Sequence, residues 1–148
     1  MAPLQLHATT ILLGDRGVLI TGDSGAGKST LALSLVLRCR SAGLYAALVA
    51  DDRTDIEARH GRLLASVPEP IEGLIEVYGL GPRTVPHERR AIVDLVVRLV
   101  EPGLAPRYQE GEGEAVAGCA VPCLALPQRQ SESACAAVLS WLRLSPFR

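Results

Sequence analysis

Residues 18–39, VLITGDSGAGKSTLALSLVLRC, constrain the fold of this chain more than any other stretch. A short apolar run (Val18, Leu19, Ile20) reads as a buried strand. Gly22-Asp23-Ser24-Gly25-Ala26-Gly27-Lys28-Ser29 then satisfies G-x-x-x-x-G-K-[ST] at every fixed position, with Thr30 behind it. Leu31, Leu33, Leu35, Val36 and Leu37 follow without glycine or proline, as a packed helix requires. Strand, glycine loop and helix in this order turn backbone N–H groups and a helix N-terminus toward one point, which is a cradle for phosphate oxygens. Lys28 would reach the β/γ-phosphates, and the Ser29 hydroxyl would hold a bridging Mg²⁺. Lys28 is the only lysine among fifteen basic side chains. A compact ammonium suits a phosphate cradle better than a planar guanidinium, so the ligand implied is a nucleoside triphosphate or another polyphosphate.

The rest of the composition narrows the alternatives. A chain of 148 residues with 48% hydrophobic content can bury one substantial core, and a single domain over residues 1–148 is expected. A net charge of −1 and five aromatic residues supply neither a basic footprint nor a stacking platform for nucleic acid. No apolar run is long enough for a membrane span, and the N-terminus lacks a secretion signal pattern, so a cytoplasmic protein is expected. Cys39, Cys119, Cys123 and Cys135 sit in apolar contexts and read as buried thiols.

Along the chain, residues 4–13 read as one strand, joined through a Gly14–Gly17 turn to the strand at 18–21. The P-loop helix should end at Ser41-Ala42-Gly43. A second buried strand, residues 44–50, runs into Asp51-Asp52. Short charged strands are expected around His60-Gly61, then a strand at 74–81, an exposed loop at 82–90 and a strand at 91–100. Residues 101–118, with four glycines and two prolines, read as a mobile loop. Another strand at 121–126 and a helix at 131–144, with Ser131 as its N-cap, complete the pattern. His60 and His87 read as solvated.

Chemistry needs carboxylates beside the terminal phosphate. Asp51-Asp52 closes the strand after the P-loop helix, at the end that should face the phosphates. One member of such a pair can hold or position while the other accepts a proton. Glu76, in the apolar strand LIEV, reads as a buried carboxylate that a cation would explain.

With these residues on the page, the chain resembles the catalytic domain of HPr kinase/phosphorylase. His7, GVLITGDSGAGKST, LVADD and IEVYGLG follow one another in that family's order. The resemblance implies an α/β fold with a mixed central sheet, similar to the nucleotide-binding core of phosphoenolpyruvate carboxykinase, in a short form without the family's N-terminal domain. It implies ATP- and Mg²⁺-dependent phosphorylation of a serine on the phosphocarrier protein HPr by a homo-oligomer, hexameric in the family. By position, the loop Gly22 to Thr30 would hold the nucleotide, and Ser29 and Glu76 would ligate Mg²⁺. Asp51 would take the serine proton, His7 would lie near the transferred phosphoryl group, and Arg107 would be the site arginine. Two departures stand out. Tyr78 replaces an arginine of the E-V-R-G-L-G signature, and Pro127-Gln128-Arg129-Gln130 keeps only part of a segment tied to phosphorolysis. They leave the kinase direction intact and weaken the phosphorolytic one. A P-loop kinase for a small molecule and a non-catalytic nucleotide sensor are the alternative readings.

Overall fold

The computed structural model describes residues 3–148. Where one strand was expected at the start there are two, β1 (Leu4–Leu6) and β2 (Ala8–Leu13), broken at His7. Gly14 and Asp15 turn β2 into β3 (Arg16–Thr21), the expected hairpin, with Leu13 opposite Arg16. After the P-loop come α1 (Lys28–Ser41), β4 (Ala46–Ala50), β5 (Thr54–Arg59) and β6 (Arg62–Ser66). The chain continues through β7 (Leu74–Val77), β8 (Gly81–Thr84), β9 (Arg90–Val100), β10 (Gly113–Val116), β11 (Cys119–Pro127) and α2 (Ser131–Leu142). Helix α1 stops where the sequence indicated. Gly43 adopts φ 83°, its N–H donates to Arg40 O (3.0 Å), and Leu44 N–H donates to Cys39 O (2.9 Å), so two otherwise orphaned carbonyls are satisfied.

The eleven-residue β9 is the axis of a mixed sheet. β3 runs parallel along one side of it, from Gly17 opposite Val93 to Thr21 opposite Arg98. The other side is shared: Arg90–Ile92 pair antiparallel with β6, and Val96–Val100 pair parallel with β11. The order of the main path is β1-β5-β6-β9-β3-β2-β4. Its two ends are tied by covalent continuity. Only His7 separates β1 from β2, and only residues 51–53 separate β4 from β5, while β1 pairs β5 and β2 pairs β4. The sheet therefore curls back on itself along a seam. Three fully buried threonines fasten that seam: Thr54 Oγ1 donates to Ala8 O (2.9 Å) and lies 2.9 Å from Thr10 Oγ1, and Thr9 reaches Asp51 across it. Each buried hydroxyl thus has a partner, without which its burial would be costly.

Alternation along the strands sends neighbouring side chains to opposite faces. Val18, Ile20, Leu95 and Val97 pack with Leu31 and Leu35 of α1 and Val138 and Leu139 of α2. Leu19, Val93 and Val96 face the other way, against Ile56, Leu63, Cys119 and Cys123. Burying each large aliphatic side chain contributes about 1.5–3 kcal/mol, so these two layers hold the sheet rigid beneath the P-loop. All four cysteines are buried free thiols, as expected. Among the described residues no helix is long and apolar enough to cross a membrane.

Three local expectations need correction. Residues 82–84, expected in the loop at 82–90, belong to β8, which hairpins back on β7. Residues 101–118 are not a free loop either. β10 lies within them, the Gln109 amide bonds both Ala125 O (2.7 Å) and Ala125 N (2.9 Å), Cys123 N–H donates to Glu112 O, and Trp141 Nε1 donates to Glu110 O. Ser131 is the first helical residue of α2 rather than its cap; Gln130 holds that position and makes no side-chain capping bond.

Candidate active site

The P-loop is shaped by backbone conformations that side chains resist. Gly27, the N-cap of α1, sits at φ 96°, and at Gly22 (φ 156°) an added Cβ would press on Leu99 Cβ (3.1 Å) and Ala26 Cβ (3.2 Å). Ala26 N–H bonds Asp23 O (3.0 Å) and closes the turn. Lys28 is buried at the first helical position. Its ammonium donates to Gly22 O (2.9 Å) and Asp23 O (3.2 Å), so the charge is held at the mouth of the loop.

β4 runs in the same direction as β3, since both are antiparallel to β2. Its end therefore delivers the two aspartates beside the loop, where they take different environments. Asp51 is 8% exposed and both its oxygens are engaged. Oδ1 accepts from Ser29 Oγ (2.6 Å) and Thr9 Oγ1 (2.9 Å), and Oδ2 accepts from the Glu76 amide (2.8 Å). Asp52 is about half exposed, at φ 67°, with its N–H on Thr9 Oγ1 (3.1 Å). Its carboxylate lies 3.2 Å from His7 Nε2 and 4.0 Å from the Lys28 ammonium.

These groups border one open cleft of about 940 Å³. Ser24, Gly25, Gly27, Lys28, Ser29, Thr30, Asp51, Asp52 and Glu76 all line it; Gly22, Asp23 and Ala26 form the loop backbone behind, and His7 reaches the cleft through Asp52. Glu76 is not the buried carboxylate that the apolar strand suggested. β7 pairs only with β8, so Glu76 is exposed and turned to the cleft. The hairpin is braced from below, where Glu72 accepts from Arg89 Nε (3.0 Å) and faces His87 Nε2 (3.4 Å). The Arg89 guanidinium first, then His87, holds the Glu72 carboxyl below its ordinary range. His87 thus stands beside the Glu72 carboxylate rather than alone in solvent.

Arg107 is not among the cleft residues; its guanidinium sits 5.5 Å from the centre of the exposed Tyr108 ring. The arginine that does line the cleft is Arg129. At φ 57° just past β11, it donates its N–H to Ala26 O (3.0 Å) and a guanidinium N–H to Gly25 O (3.3 Å). Arg129 entered the sequence reading only within the segment 127–130, and Thr9 not at all. A threonine pair in an otherwise apolar strand was its signal, as the carboxyl end of a strand parallel to β3 and β9 was for Arg129.

The residues present fit a magnesium ion. Ser29 and Glu76 offer hard oxygen donors to the cleft, and Mg²⁺ is commonly held by one or two carboxylates with phosphate and water completing its shell. Among the described residues no group of three or more His, Cys, Asp or Glu is gathered as a self-sufficient metal cage. The arrangement suits an ion that arrives with a polyphosphate.

The family model for the HPr Serine kinase C-terminal domain matches residues 1–133. HPr kinase/phosphorylase of Clostridium tetani is 43% identical over 82 residues, 55% of this chain and 25% of that protein. The namesake from Limosilactobacillus reuteri is 42% identical over 83 residues, 55% of this chain and 24% of its own length. The match thus spans about a quarter of each relative. The solved structure of the Hpr(Ser) kinase/phosphatase from Coxiella burnetii superposes with a TM-score of 0.78 at 28% identity, covering 95% of this chain and 88% of that one.

Proposed function

The chain belongs to the HPr serine kinase C-terminal domain family, and from that premise we propose that it phosphorylates a serine of the phosphocarrier protein HPr, using ATP and Mg²⁺. The observation that carries the reading is the meeting of Lys28, the Ser29–Asp51 contact and the His7–Asp52 pair in one cleft at the P-loop. Phosphoryl transfer asks a protein for positioning and charge neutralisation rather than covalent chemistry. The loop amides and Lys28 bind the nucleotide phosphates, and Arg129 adds a second positive charge at the loop's outer side. Mg²⁺, when bound through Ser29 and Glu76, supplies further neutralisation of phosphate charge.

The proton acceptor in this reading is Asp52 rather than Asp51. Asp52 has a free face toward the cleft, and His7 orients its carboxylate, whereas Asp51 is spent on fixing Ser29, Thr9 and the Glu76 amide. A serine hydroxyl entering the cleft gives its proton to Asp52 as its oxygen attacks the γ-phosphorus, and the bond from that phosphorus to the β,γ-bridging oxygen breaks, releasing ADP. Arg129 takes the place first given to Arg107, because it stands in the cleft. Exposed Tyr78, at the rim where the family carries arginine, leaves less positive charge for inorganic phosphate, so the forward direction is the one assigned.

The test is label transfer from γ-labelled ATP to purified HPr with and without Mg²⁺. Transfer should need both Mg²⁺ and the target serine, and Asp52→Asn should lower the rate by a factor of about 10²–10⁴ while ATP still binds. A wild-type protein that binds ATP but labels no HPr ends the proposal.

A further inference from the structure

The cleft has a P-loop side and a hairpin side, and Asp51 joins them, holding Ser29 on one and the Glu76 amide on the other. Phosphates take the loop side. The attacking and leaving oxygens stand roughly in line across the transferred phosphorus, so the acceptor must enter away from the loop amides, along the β7–β8 hairpin. The two faces of that hairpin differ. Ile75 and Val77 turn inward and pack on the core. Glu76 stands opposite Pro82, and alternation sets Leu74 and Tyr78 on the same side as Glu76, toward the cleft. Just past Tyr78 the turn carries Leu80. Both are solvated, Tyr78 at 95% exposure and Leu80 at 66%.

This tip is ordered without being covered. Leu80 N–H donates to Val77 O (2.9 Å), and the Arg83 guanidinium donates to Pro82 O (2.8 Å) and Leu80 O (3.3 Å). At its root the hairpin is held by Val85 N–H on Gly73 O (3.1 Å) and by the Glu76 amide on Asp51. The other exposed tyrosines have partners within the chain, Tyr108 under the Arg107 guanidinium and Tyr45 on Glu88. A tip fixed before contact loses little conformational freedom on binding, and tyrosine is among the side chains that most often anchor an interface. We propose that Tyr78 and Leu80 form a docking lip for the acceptor protein and seat against an apolar patch beside its serine. The inference rests on the kinase reading and deepens it: the acceptor is recognised as a folded surface rather than as a bare hydroxyl. A small polar hydroxyl compound gains nothing from two apolar side chains held out in water at the rim, whereas a protein surface covers both as its serine enters. With tyrosine at the signature position where an arginine is usual, the patch selected here is apolar rather than acidic.

The experiment is label transfer from Mg·ATP to purified HPr over a range of HPr concentrations, using the whole chain. Leu80→Ser and, separately, Tyr78→Ser should each raise KM for HPr by about tenfold or more, as loss of an interface anchor does, while KM for ATP stays in place. Leu80→Ser should also keep the wild-type kcat at saturating HPr. Both side chains are exposed, so the variants should melt with the wild type; a fall in kcat and melting temperature together would make the tip structural and overturn the proposal. An unchanged KM for HPr in both variants overturns it as well. So does a wild-type assembly in sedimentation that Leu80→Ser dissolves, since the lip would then belong to a second copy of this chain. Absence of transfer by the wild type, with ATP bound, refutes the kinase reading itself, and the acceptor lip with it.

Discussion

Replacing Asp51 with asparagine separates a structural aspartate from a reactive one. Asp51 accepts three hydrogen bonds, two at Oδ1 and one at Oδ2, from Ser29, Thr9 and the Glu76 amide. Asparagine keeps the shape but turns one oxygen into a donor. With its oxygen toward the hydroxyls, its NH₂ confronts the Glu76 N–H, which cannot rotate away. With the amide reversed, the hydroxyls must turn, and Thr9 Oγ1 already accepts from Asp52 N–H. Either way about one bond to a charged group disappears and one donor is left opposed. Bonds of that kind contribute about 1.5–3 kcal/mol, so with the added clash the loss should be about 2–4 kcal/mol. Asp51 is buried, so solvent screening does not reduce this. With an m-value of about 1–3 kcal/mol/M in urea, the midpoint of unfolding should fall by about 1–2 M. Asp52→Asn is the control. Its side chain is half exposed and its left-handed backbone suits asparagine, so stability should move by no more than about 0.5 kcal/mol. If the two variants unfold at the same urea concentration, the division of labour drawn from these contacts is wrong.

Other outcomes follow from single contacts. Gly17→Ala should cost about 3 kcal/mol or leave no folded protein, because a Cβ there would lie 2.0 Å from the Ile92 carbonyl; a melting curve like wild type would contradict the register between β3 and β9. Glu72 titrates below its ordinary value because of Arg89 and then His87, so its contribution to stability is complete above the unfolded-state value and is lost as pH falls through the folded one. Glu72→Gln should therefore lower stability slightly at neutral pH and flatten the acid limb, so that the two stability–pH curves converge as pH falls, which urea titrations at successive pH values can show. Burial raises the Cys39 and Cys135 thiols and pushes Cys123 up to about 11, so at neutral pH a disulfide reagent should modify these sites only as fast as the protein unfolds. Rapid labelling of the native protein would mean that the sheet faces are open.

The phosphate loop was legible because its chemistry demands glycines, one ammonium and one hydroxyl at fixed spacing, and no distant contact can substitute for them. The aspartate pair was legible as a pair, but the different surroundings of its members were not. Those surroundings depend on Thr9, Ser29 and the Glu76 amide, which lie far apart in sequence. Glu76 was misjudged for a related reason: an apolar strand reads as buried, yet β7 has one partner strand and opens toward the cleft. The arginine was sought in a loop whose path is set by the Gln109–Ala125 pairing, a long-range contact without a local signal. The strands themselves were read well where branched residues alternate, as in β9, and poorly where glycine and proline suggested disorder, as around β8 and β10.

His7 and Asp52 stand on the two crossings where the chain passes from one half of the curled sheet to the other. Their 3.2 Å separation is therefore a gauge of whether both halves have closed. A partly assembled molecule, with β2, β3, β9 and the loop in place but the β5–β6 arm undocked, would grip polyphosphate and still lack an oriented proton acceptor.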